Sequence, residues 1–249
     1  MLSKSQIKYI QSLHQKKFRV QTGAYIAEGP KIAAEVLTKV PHLVQYVAAL
    51  PTWITAHADL LGGLSPDRVG EASVPELERI SALVTPNEVL LVLTQTEEPW
   101  QLPEGAWCLA LDDIQDPGNL GTIVRIADWF GVSNILCSVA CAEWYNPKVI
   151  QATMGSFLRV RHMYTDLGPW LGSVGRPVYA ATLEGEPVTR LANQPPGIIL
   201  VGNESRGIGP ELRALATREV TIPRIGAAES LNAAVATGIL LSHFCRSAG

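Results

Sequence analysis

The chain has 249 residues, of which 47% are hydrophobic and 17% are charged, and its formal net charge is −3. This composition is typical of a globular protein without a low-complexity tract, and the net charge excludes a uniformly basic protein that coats nucleic acid. No apolar run reaches the length of a membrane span, and the N-terminus lacks the apolar core of a signal peptide. We therefore expect a cytoplasmic protein with no membrane partner.

The four cysteines and five histidines show no spacing that is typical of a metal or redox site. No Cys-x-x-Cys pair occurs, and no histidine stands at a zinc-like distance from a cysteine. We expect the cysteines to be free thiols in a reducing compartment, and we expect no metal.

Positive charge is concentrated at the N-terminus. Residues 1–40 hold seven Lys or Arg and two Glu, whereas residues 41–99 hold two basic and eight acidic residues. A basic segment on an acidic body is compatible with local phosphate contacts. From charge alone, a solvated helix face is the simpler interpretation.

The first part of the chain has the pattern of a small α/β domain, which we place at residues 1–97. A polar stretch with two prolines follows, and we interpret residues 98–105 as a linker. Apolar spacing predicts helices at residues 4–13, 30–40 and 74–83, and short apolar segments occur at 44–48, 53–54 and 89–93.

Residues 106–249 alternate between apolar strands and helices. Such alternation predicts an α/β fold with a mostly parallel sheet covered on both faces. The predicted strands are residues 106–111, 134–138, 177–182, 197–201 and 219–222, and the predicted helices are residues 119–130, 147–154, 209–216 and 230–244.

Three of these strands are followed by loops of small and polar residues, and the first such block is residues 116–125. It begins with turn residues and reaches Asn119, which is suited to cap the next helix. Arg125 lies off the apolar stripe of that helix, so it can point toward a pocket or pair with Asp128 three residues on.

The second block is residues 201–207, where a buried strand runs into Gly202 and Glu204. Its glycines do not match the G-x-G-x-x-G spacing, and no Walker lysine follows, which argues against a nucleotide-dependent oxidoreductase. Glu204 is either a functional carboxylate or a helix-terminal charge, and Arg206 could pair with it.

The third block leads from residues 222–224 to residues 230–232. Ser230 is a candidate cap for the last helix. Because that helix is apolar over most of its circumference, we expect part of it to be buried in a subunit interface.

In this order, the three blocks resemble the motifs of SpoU/TrmH-type RNA ribose 2′-O-methyltransferases of the SPOUT superfamily. Residues 146–150 and 154–156 resemble the linking helix of that family. Gln151 and Thr153 depart from the Arg and Ser of the family pattern. Residues 4–40, with Ala27-Glu28-Gly29, resemble its L30e-like N-terminal substrate-binding domain.

The resemblance implies a C-terminal trefoil knot, a homodimer with a site completed across the interface, and S-adenosylmethionine as cofactor. It also implies an RNA substrate, with ribosomal RNA ahead of tRNA. The matching cofactor positions are Gly202, Ile222, Leu231, Thr182 and Gly207. An RNA-binding or assembly protein without transfer activity is the alternative.

Arg125 is the central catalytic candidate by its motif position. Since a guanidinium is very hard to deprotonate, we expect it to grip the target phosphate and stabilise the 2′-oxygen rather than act as a base. Asn119, Glu204, Ser230 and Asn232 would complete the site. The residues expected to hold RNA phosphates are Lys4, Lys8, Lys16, Lys17, Arg19 and Lys31.

Overall fold

A computed structural model describes residues 1–96 and 100–245, and the contacts within the chain divide it into two units. Unit 1 comprises Met1–Glu97 with Tyr145–Gly155, and unit 2 comprises Glu98–Trp144 with Ser156–Gly249. The predicted domains have a single boundary, whereas here the chain passes between the units three times. Residues 97–99, where the predicted linker begins, lie outside the described residues.

Unit 1 contains a mixed sheet in the order β1-β4-β2-β3, in which β2 and β3 run parallel and the other neighbours antiparallel. Ile7, Ile10 and Leu13 pack into its core with residues of the sheet. The elements are α1 (Lys4–Ser12), α2 (Lys16–Thr22), β1 (Ala24–Glu28), α3 (Pro30–Lys39), β2 (Val44–Ala49), α4 (Pro51–Ala56), α5 (Ala58–Leu61), β3 (Val69–Glu71), α6 (Val74–Ile80), β4 (Val89–Thr94) and, from the second segment, α8 (Pro147–Thr153).

Reciprocal capping fixes the start of two helices in unit 1. The Ser3 hydroxyl accepts the Gln6 N–H at 3.2 Å, and the Gln6 side chain accepts the Ser3 N–H at 2.8 Å. Ser73 and Glu76 form the same box at α6, and these hydrogen bonds lower the pKa of Glu76. Each box satisfies backbone donors that the first turn leaves unpaired, so both helices begin where the sequence predicts.

The second segment of unit 1 packs on its first strand. The rings of Tyr25 and Tyr145 lie 4.6 Å apart, and the Tyr145 hydroxyl donates to the Thr96 carbonyl at 3.1 Å. Helix α8 contacts β1, whose five residues are all buried. Residues 145–155 thus help to cover the sheet of unit 1.

Unit 2 contains a sheet in the order β10-β8-β9-β5-β6-β7, in which every pair of neighbours is parallel. The predicted mostly parallel sheet is confirmed. Strands β5, β6 and β9 are buried throughout, as expected for strands covered on both faces. The elements are β5 (Cys108–Leu111), α7 (Pro117–Trp129), β6 (Asn134–Cys137), β7 (Arg161–Tyr164), α9 (Leu167–Ser173), β8 (Val178–Pro187), β9 (Ile198–Val201), α10 (Pro210–Arg213), β10 (Arg218–Thr221) and α11 (Ala233–Phe244).

Several elements differ from the sequence-based expectation. The apolar pair Trp53-Ile54 lies in helix α4 rather than in a strand. Pro51 is a favoured first residue of a helix, and Trp53 is the buried residue of this one. Strands β1, β3 and β7 and helices α2, α5 and α9 were not predicted. Strand β7 is polar and half exposed at the edge of its sheet, so it carries no apolar run to reveal it.

The end of the predicted linker belongs to the packing of unit 2. Trp100 and Leu102 pack against the core of this unit, and the rings of Trp100 and Trp170 meet edge to face at 5.4 Å. The Arg176 guanidinium donates to the carbonyls of Pro103 and Ala106. This part of the segment is therefore anchored.

Among the described helices, none is both long and apolar enough to cross a membrane.

A buried histidine gives unit 2 a pH-dependent stability. The His162 ring stacks on Trp144 at 4.1 Å, and burial lowers the pKa of His162 from 6.5 to about 4. Between these values the unfolded chain binds a proton that the folded chain does not, so the free energy of unfolding decreases as the pH falls. We predict that the free energy of unfolding in urea decreases between pH 7 and pH 5 in both proteins. The decrease should be about 2 kcal/mol smaller in His162→Phe than in the unaltered protein. Equal losses in the two proteins would contradict this.

Candidate functional site

The candidate site lies at the carboxyl ends of the parallel strands of unit 2. The loops after β5, β9 and β10 carry the three sequence blocks, and parallel strands present these ends at one edge. In the strand order β9 is the neighbour of β5, although the two are far apart along the chain. The first two blocks are therefore brought together by the sheet.

Three of the predicted catalytic side chains form one hydrogen-bonded chain. The Asn119 amide nitrogen donates to the Glu204 carboxylate at 2.5 Å, and the Asn232 amide nitrogen donates to the Asn119 carbonyl oxygen at 2.8 Å. Asn119 is partly buried at the start of α7. One amide thus joins all three loops.

The helix caps differ from the prediction. Asp116, not Asn119, caps α7, and its carboxylate accepts the Asn119 N–H at 2.8 Å. Asn232, not Ser230, caps α11, and its side-chain oxygen accepts the N–H groups of Ala234 and Val235. Because Asp116 takes the capping role, the Asn119 side chain is available to bridge the loops.

A cavity of ≈650 Å³ opens beside these loops. This volume lies within the range of sites for small ligands. Its lining combines apolar side chains with charged groups such as Glu184, Arg213 and Glu229. The predicted site residues that line it are Thr182, Gly202, Glu204, Gly207, Ile222, Ser230 and Leu231.

Gly202 is fixed by close packing of the backbone. A Cβ atom at this position would lie 2.4 Å from the carbonyl carbon and oxygen of Gly207 and 2.5 Å from the Ile208 nitrogen. Gly207 has a φ of +68°, a left-handed conformation that favours glycine. Asn203 and Gly207 exchange backbone hydrogen bonds at 3.1 and 2.8 Å, which closes the loop after β9. At the loop after β9, the wall of the cavity is therefore formed by main-chain atoms.

Asp113, which the sequence analysis missed, links the loop after β5 to the loop after β9. Its carboxylate pairs with Arg206, and its carbonyl accepts the Asn203 amide at 2.9 Å. Its own N–H donates to the Ser138 hydroxyl at 2.9 Å. Arg206 therefore pairs with Asp113, not with Glu204. Asp113 has a φ of +59°, a left-handed conformation in which Asp and Asn are enriched among residues other than glycine. An Asp shortly after a buried strand was therefore the only sign in the sequence of this turn.

Arg125 stands apart from this network in its own chain. It is exposed on α7 and does not line the cavity. Asp128, the alternative partner, is held by Arg159 at 2.8 Å and by the Ser156 hydroxyl at 2.7 Å. Among the described residues, no hydrogen bond or ion pair to the Arg125 side chain is found, so its guanidinium is open to an external group.

Two buried thiols lie beneath the loop after β5. Cys141 accepts the Ile114 N–H at 3.3 Å. Hydrogen bonds from Cys137, Ser138 and backbone groups lower the pKa of Cys141 to about 7, against the effect of burial. The pKa of Cys137 is raised by the same pairing and by burial. Residues 1–96 and 100–245 hold no group of three or more acidic, His or Cys side chains placed for a metal; the absence of a metal stays a prediction.

The residues that were predicted to hold RNA phosphates divide into two kinds. The five lysines are exposed, at positions Lys4, Lys8, Lys16, Lys17 and Lys31. Arg19 is 2% exposed, and its guanidinium donates to the Leu13 carbonyl at 2.8 Å. The predicted phosphate contact of Arg19 is therefore wrong, because this side chain holds the turn between α1 and α2.

Comparison with known proteins adds two family matches. Residues 106–242 match the model of the SpoU rRNA Methylase family, and residues 4–91 match that of the MRM3-like substrate binding domain. The first match covers more than half of the chain. One match lies within the first 97 residues, and the other begins at residue 106.

Individual relatives cover nearly the whole chain. The 23S rRNA (guanosine(2553)-2′-O)-methyltransferase RlmP of Bacillus subtilis is 29% identical over 95% of this chain and 94% of its own. A TrmH-family protein of Porphyromonas gingivalis is 35% identical, with a TM-score of 0.85 over 98% of each chain. An rRNA methyltransferase of Sinorhizobium meliloti, solved with AdoMet bound, is 30% identical, with a TM-score of 0.84 over 98% of this chain and 95% of its own.

The backbone wall of the cavity can be tested with an added methyl group. We predict that Gly202→Ala weakens S-adenosylmethionine binding at least tenfold, because the new Cβ must displace the backbone at Gly207 and Ile208; this assumes that relieving the overlap costs at least about 1.4 kcal/mol of binding free energy. Isothermal titration calorimetry measures the affinity. Gly226→Ala is the matched control, since Gly226 also lines the cavity and a Cβ there meets nothing within 4 Å. Equal affinities for the two variants would refute the role of Gly202.

Proposed function

Since this chain belongs to the SpoU rRNA Methylase family, we propose that it transfers a methyl group from S-adenosylmethionine to a ribose 2′-hydroxyl in ribosomal RNA. The resemblance drawn from the three sequence blocks is thereby confirmed. A relative that spans the chain and is named for ribose 2′-O-methylation of 23S rRNA supports this substrate over tRNA. The hydrogen-bonded chain of Asn232, Asn119 and Glu204 beside the cavity is the observation that carries the proposal.

The residues around the cavity fit the proposed cofactor. Gly202 leaves the main chain of the loop after β9 bare, so backbone groups of residues 201–208 can face an adenine. Leu231 and Ile222 add apolar surface for a ring, while the polar lining can receive the ribose and the charged tail. When bound, S-adenosylmethionine supplies an electrophilic methyl group.

The chain's own residues must hold the acceptor and exclude water. Glu204, fixed by Asn119, places a carboxylate at the cavity, where it can accept a hydrogen bond from a ribose hydroxyl. Asn232 fixes Asn119 in turn and is held by α11 as its cap. A carboxylate positioned in this way needs no rearrangement when the acceptor arrives.

Arg125 is proposed to act on the nucleotide from outside this network. Its guanidinium can bind a phosphate with two hydrogen bonds, and it can stabilise the negative charge that develops on the 2′-oxygen during methyl transfer. Among the described residues, no partner of the Arg125 side chain is found, and this supports the role. An arginine in an ion pair would have to give up that contact before it could bind a phosphate.

We also propose that the protein is a homodimer and that Arg125 serves the cavity of the partner. Arg125 does not line the cavity of its own chain. Helices α7 and α11 pack side by side, and each exposes apolar residues, with Trp129 84%, Val235 52% and Ile239 38% exposed. Such a patch on adjacent helices suits a subunit interface. The trefoil knot rests on the family resemblance, and the cytoplasmic location rests on the apolar pattern of the sequence; both stay predictions.

Methyl transfer itself tests the proposed function. Unmodified ribosomal RNA from cells that lack this protein is incubated with labelled S-adenosylmethionine, and we expect label at one linkage that resists alkali. The resistance follows because alkaline cleavage needs a free 2′-hydroxyl. Label on a base, label in tRNA alone or no label would contradict the proposal.

Removal of the free guanidinium tests the role of Arg125. We predict that Arg125→Ala lowers kcat by at least about a hundredfold, as for the loss of a preorganised electrostatic donor, and leaves S-adenosylmethionine binding unchanged. Arg190→Ala, another exposed arginine outside the cavity, serves as control. Unchanged turnover in Arg125→Ala would remove this residue from the mechanism.

The dimer can be tested through the exposed face of α11. We predict that Val235→Asp together with Ile239→Asp shifts the protein to monomer in analytical ultracentrifugation, because the interface would bury two unpaired carboxylates. Methyl transfer should fall with it. Val84→Asp, at an exposed valine outside both cavities, is the control. A double variant that stays dimeric would place the interface elsewhere.

A further inference from the structure

Unit 1 has a small cavity of its own between α1 and the sheet, with a volume of ≈190 Å³. No step of the proposed chemistry uses it. Its walls combine two aromatic rings, two side-chain amides and an apolar floor. The lining residues are Gln6, Tyr9, Ile10, Gln45, Tyr46 and Val92.

A β-bulge places Gln45 at this cavity. In the pairing of β2 with β4 the register shifts between Val44 and Tyr46, so Gln45 is an extra residue on its strand. Bulges re-aim a side chain and occur often beside functional sites. The bulge brings a polar residue of an interior strand to the mouth of the cavity.

The Gln45 amide is held in one orientation. Its nitrogen donates to the Thr94 hydroxyl at 3.0 Å, and its oxygen accepts the Tyr9 hydroxyl at 3.2 Å. An amide has two donors and an oxygen with two lone pairs, so one donor and one acceptor position remain. The side chain can therefore offer a fixed donor–acceptor pair to a ligand.

The other tyrosine is built into the floor. Tyr46 lines the cavity together with Gln6, and burial raises the pKa of the Tyr46 phenol. A Cβ at Gly70 would lie 1.7 Å from the Tyr46 hydroxyl oxygen, and glycine at this position leaves room for the phenol. These contacts support Tyr46 from behind.

The surroundings suit an RNA nucleotide. Tyr9 is 37% exposed on α1, and the same helix carries the exposed Lys4 and Lys8. Single-stranded RNA is bound by aromatic rings that stack on bases, amides that read base edges and cations that meet phosphates. A donor–acceptor pair from glutamine matches N6 and N7 of adenine. The volume is below that of sites for drug-sized ligands and suits one base.

We propose that this cavity is a subsite for one unstacked nucleobase of the RNA substrate, with adenine preferred. Tyr9 stacks on the base and Gln45 bonds its edge, while Lys4 and Lys8 meet the adjoining phosphates. The identity of the RNA as a methylation substrate rests on the proposed function.

Steady-state kinetics with ribosomal RNA tests the subsite in the working enzyme. We expect Tyr9→Ala and Gln45→Leu each to raise KM for RNA about tenfold, the effect of losing one base contact, with kcat and S-adenosylmethionine affinity unchanged. Tyr9→Phe keeps the ring and should retain most of the affinity. Gln11→Leu is the matched amide control, because Gln11 lies on the same helix but donates to the Arg79 carbonyl. An unchanged KM in both test variants would overturn the proposal.

Binding of short RNAs separates the subsite from the reaction. The full chain is titrated with fluorescent hexamers of adenylate and of uridylate and with an abasic hexamer. We expect adenylate to bind about tenfold more tightly than the abasic chain, and Gln45→Leu to lose the preference for adenylate over uridylate. Equal affinities for the three hexamers, or no binding of any, would overturn the subsite.

The proposed function and the subsite fail in different ways. Absence of methyl transfer by the unaltered protein would contradict the proposed function, while the hexamers would still decide the subsite. The double variant Lys16→Glu/Lys17→Glu should weaken all three hexamers alike and reduce the salt dependence of binding. If this double variant bound only the adenylate hexamer more weakly, the result would contradict the assignment of base contacts to the cavity and of phosphate contacts to the lysines.

Discussion

The site depends on a single amide at the start of α7. Asn119 donates to Glu204 and accepts from Asn232, so it joins loops that follow three different strands. Asp116 caps the helix, which leaves the Asn119 side chain outside the backbone hydrogen bonding of the first turn. A carboxylate, an amide and a helix cap are thus fixed relative to one another before any ligand arrives. Preorganisation of this kind lowers the cost of reaching a reactive arrangement.

The order of the strands explains why these loops meet. Strands β9 and β5 are neighbours, and the chain winds away from them in both directions, toward β10 and toward β7. A crevice forms at such a switch point because the connections on its two sides depart in opposite directions. Asp113 crosses it by pairing with Arg206 and by accepting the Asn203 amide. The loop after β9 therefore borders the cavity and is also braced by polar contacts to the loop after β5.

The sequence predicted the buried parts of the molecule better than the polar parts. Continuous apolar runs identified β5, β6 and β9, and the family resemblance pointed to positions around Gly202 that line the cavity. Strand β7, in which no residue is fully buried, carried no such signal. The assignments of Asn119 as a cap and Arg19 as a phosphate ligand were wrong because neighbouring residues, Asp116 and the Leu13 carbonyl, decide those roles. Hydrogen-bond partners from distant loops cannot be read from local pattern.

The second segment of unit 1 has a consequence for how the chain is made. The sheet of unit 1 ends with β4 at Thr94, yet α8, which lies on β1, ends at Thr153. During translation, strands β5 and β6 leave the ribosome before the helix that covers β1 exists. At ordinary synthesis rates this interval lasts about 3–12 s. The N-terminal unit cannot reach its final packing as an independent first product, and cutting the chain at the apparent boundary would leave β1 without that cover.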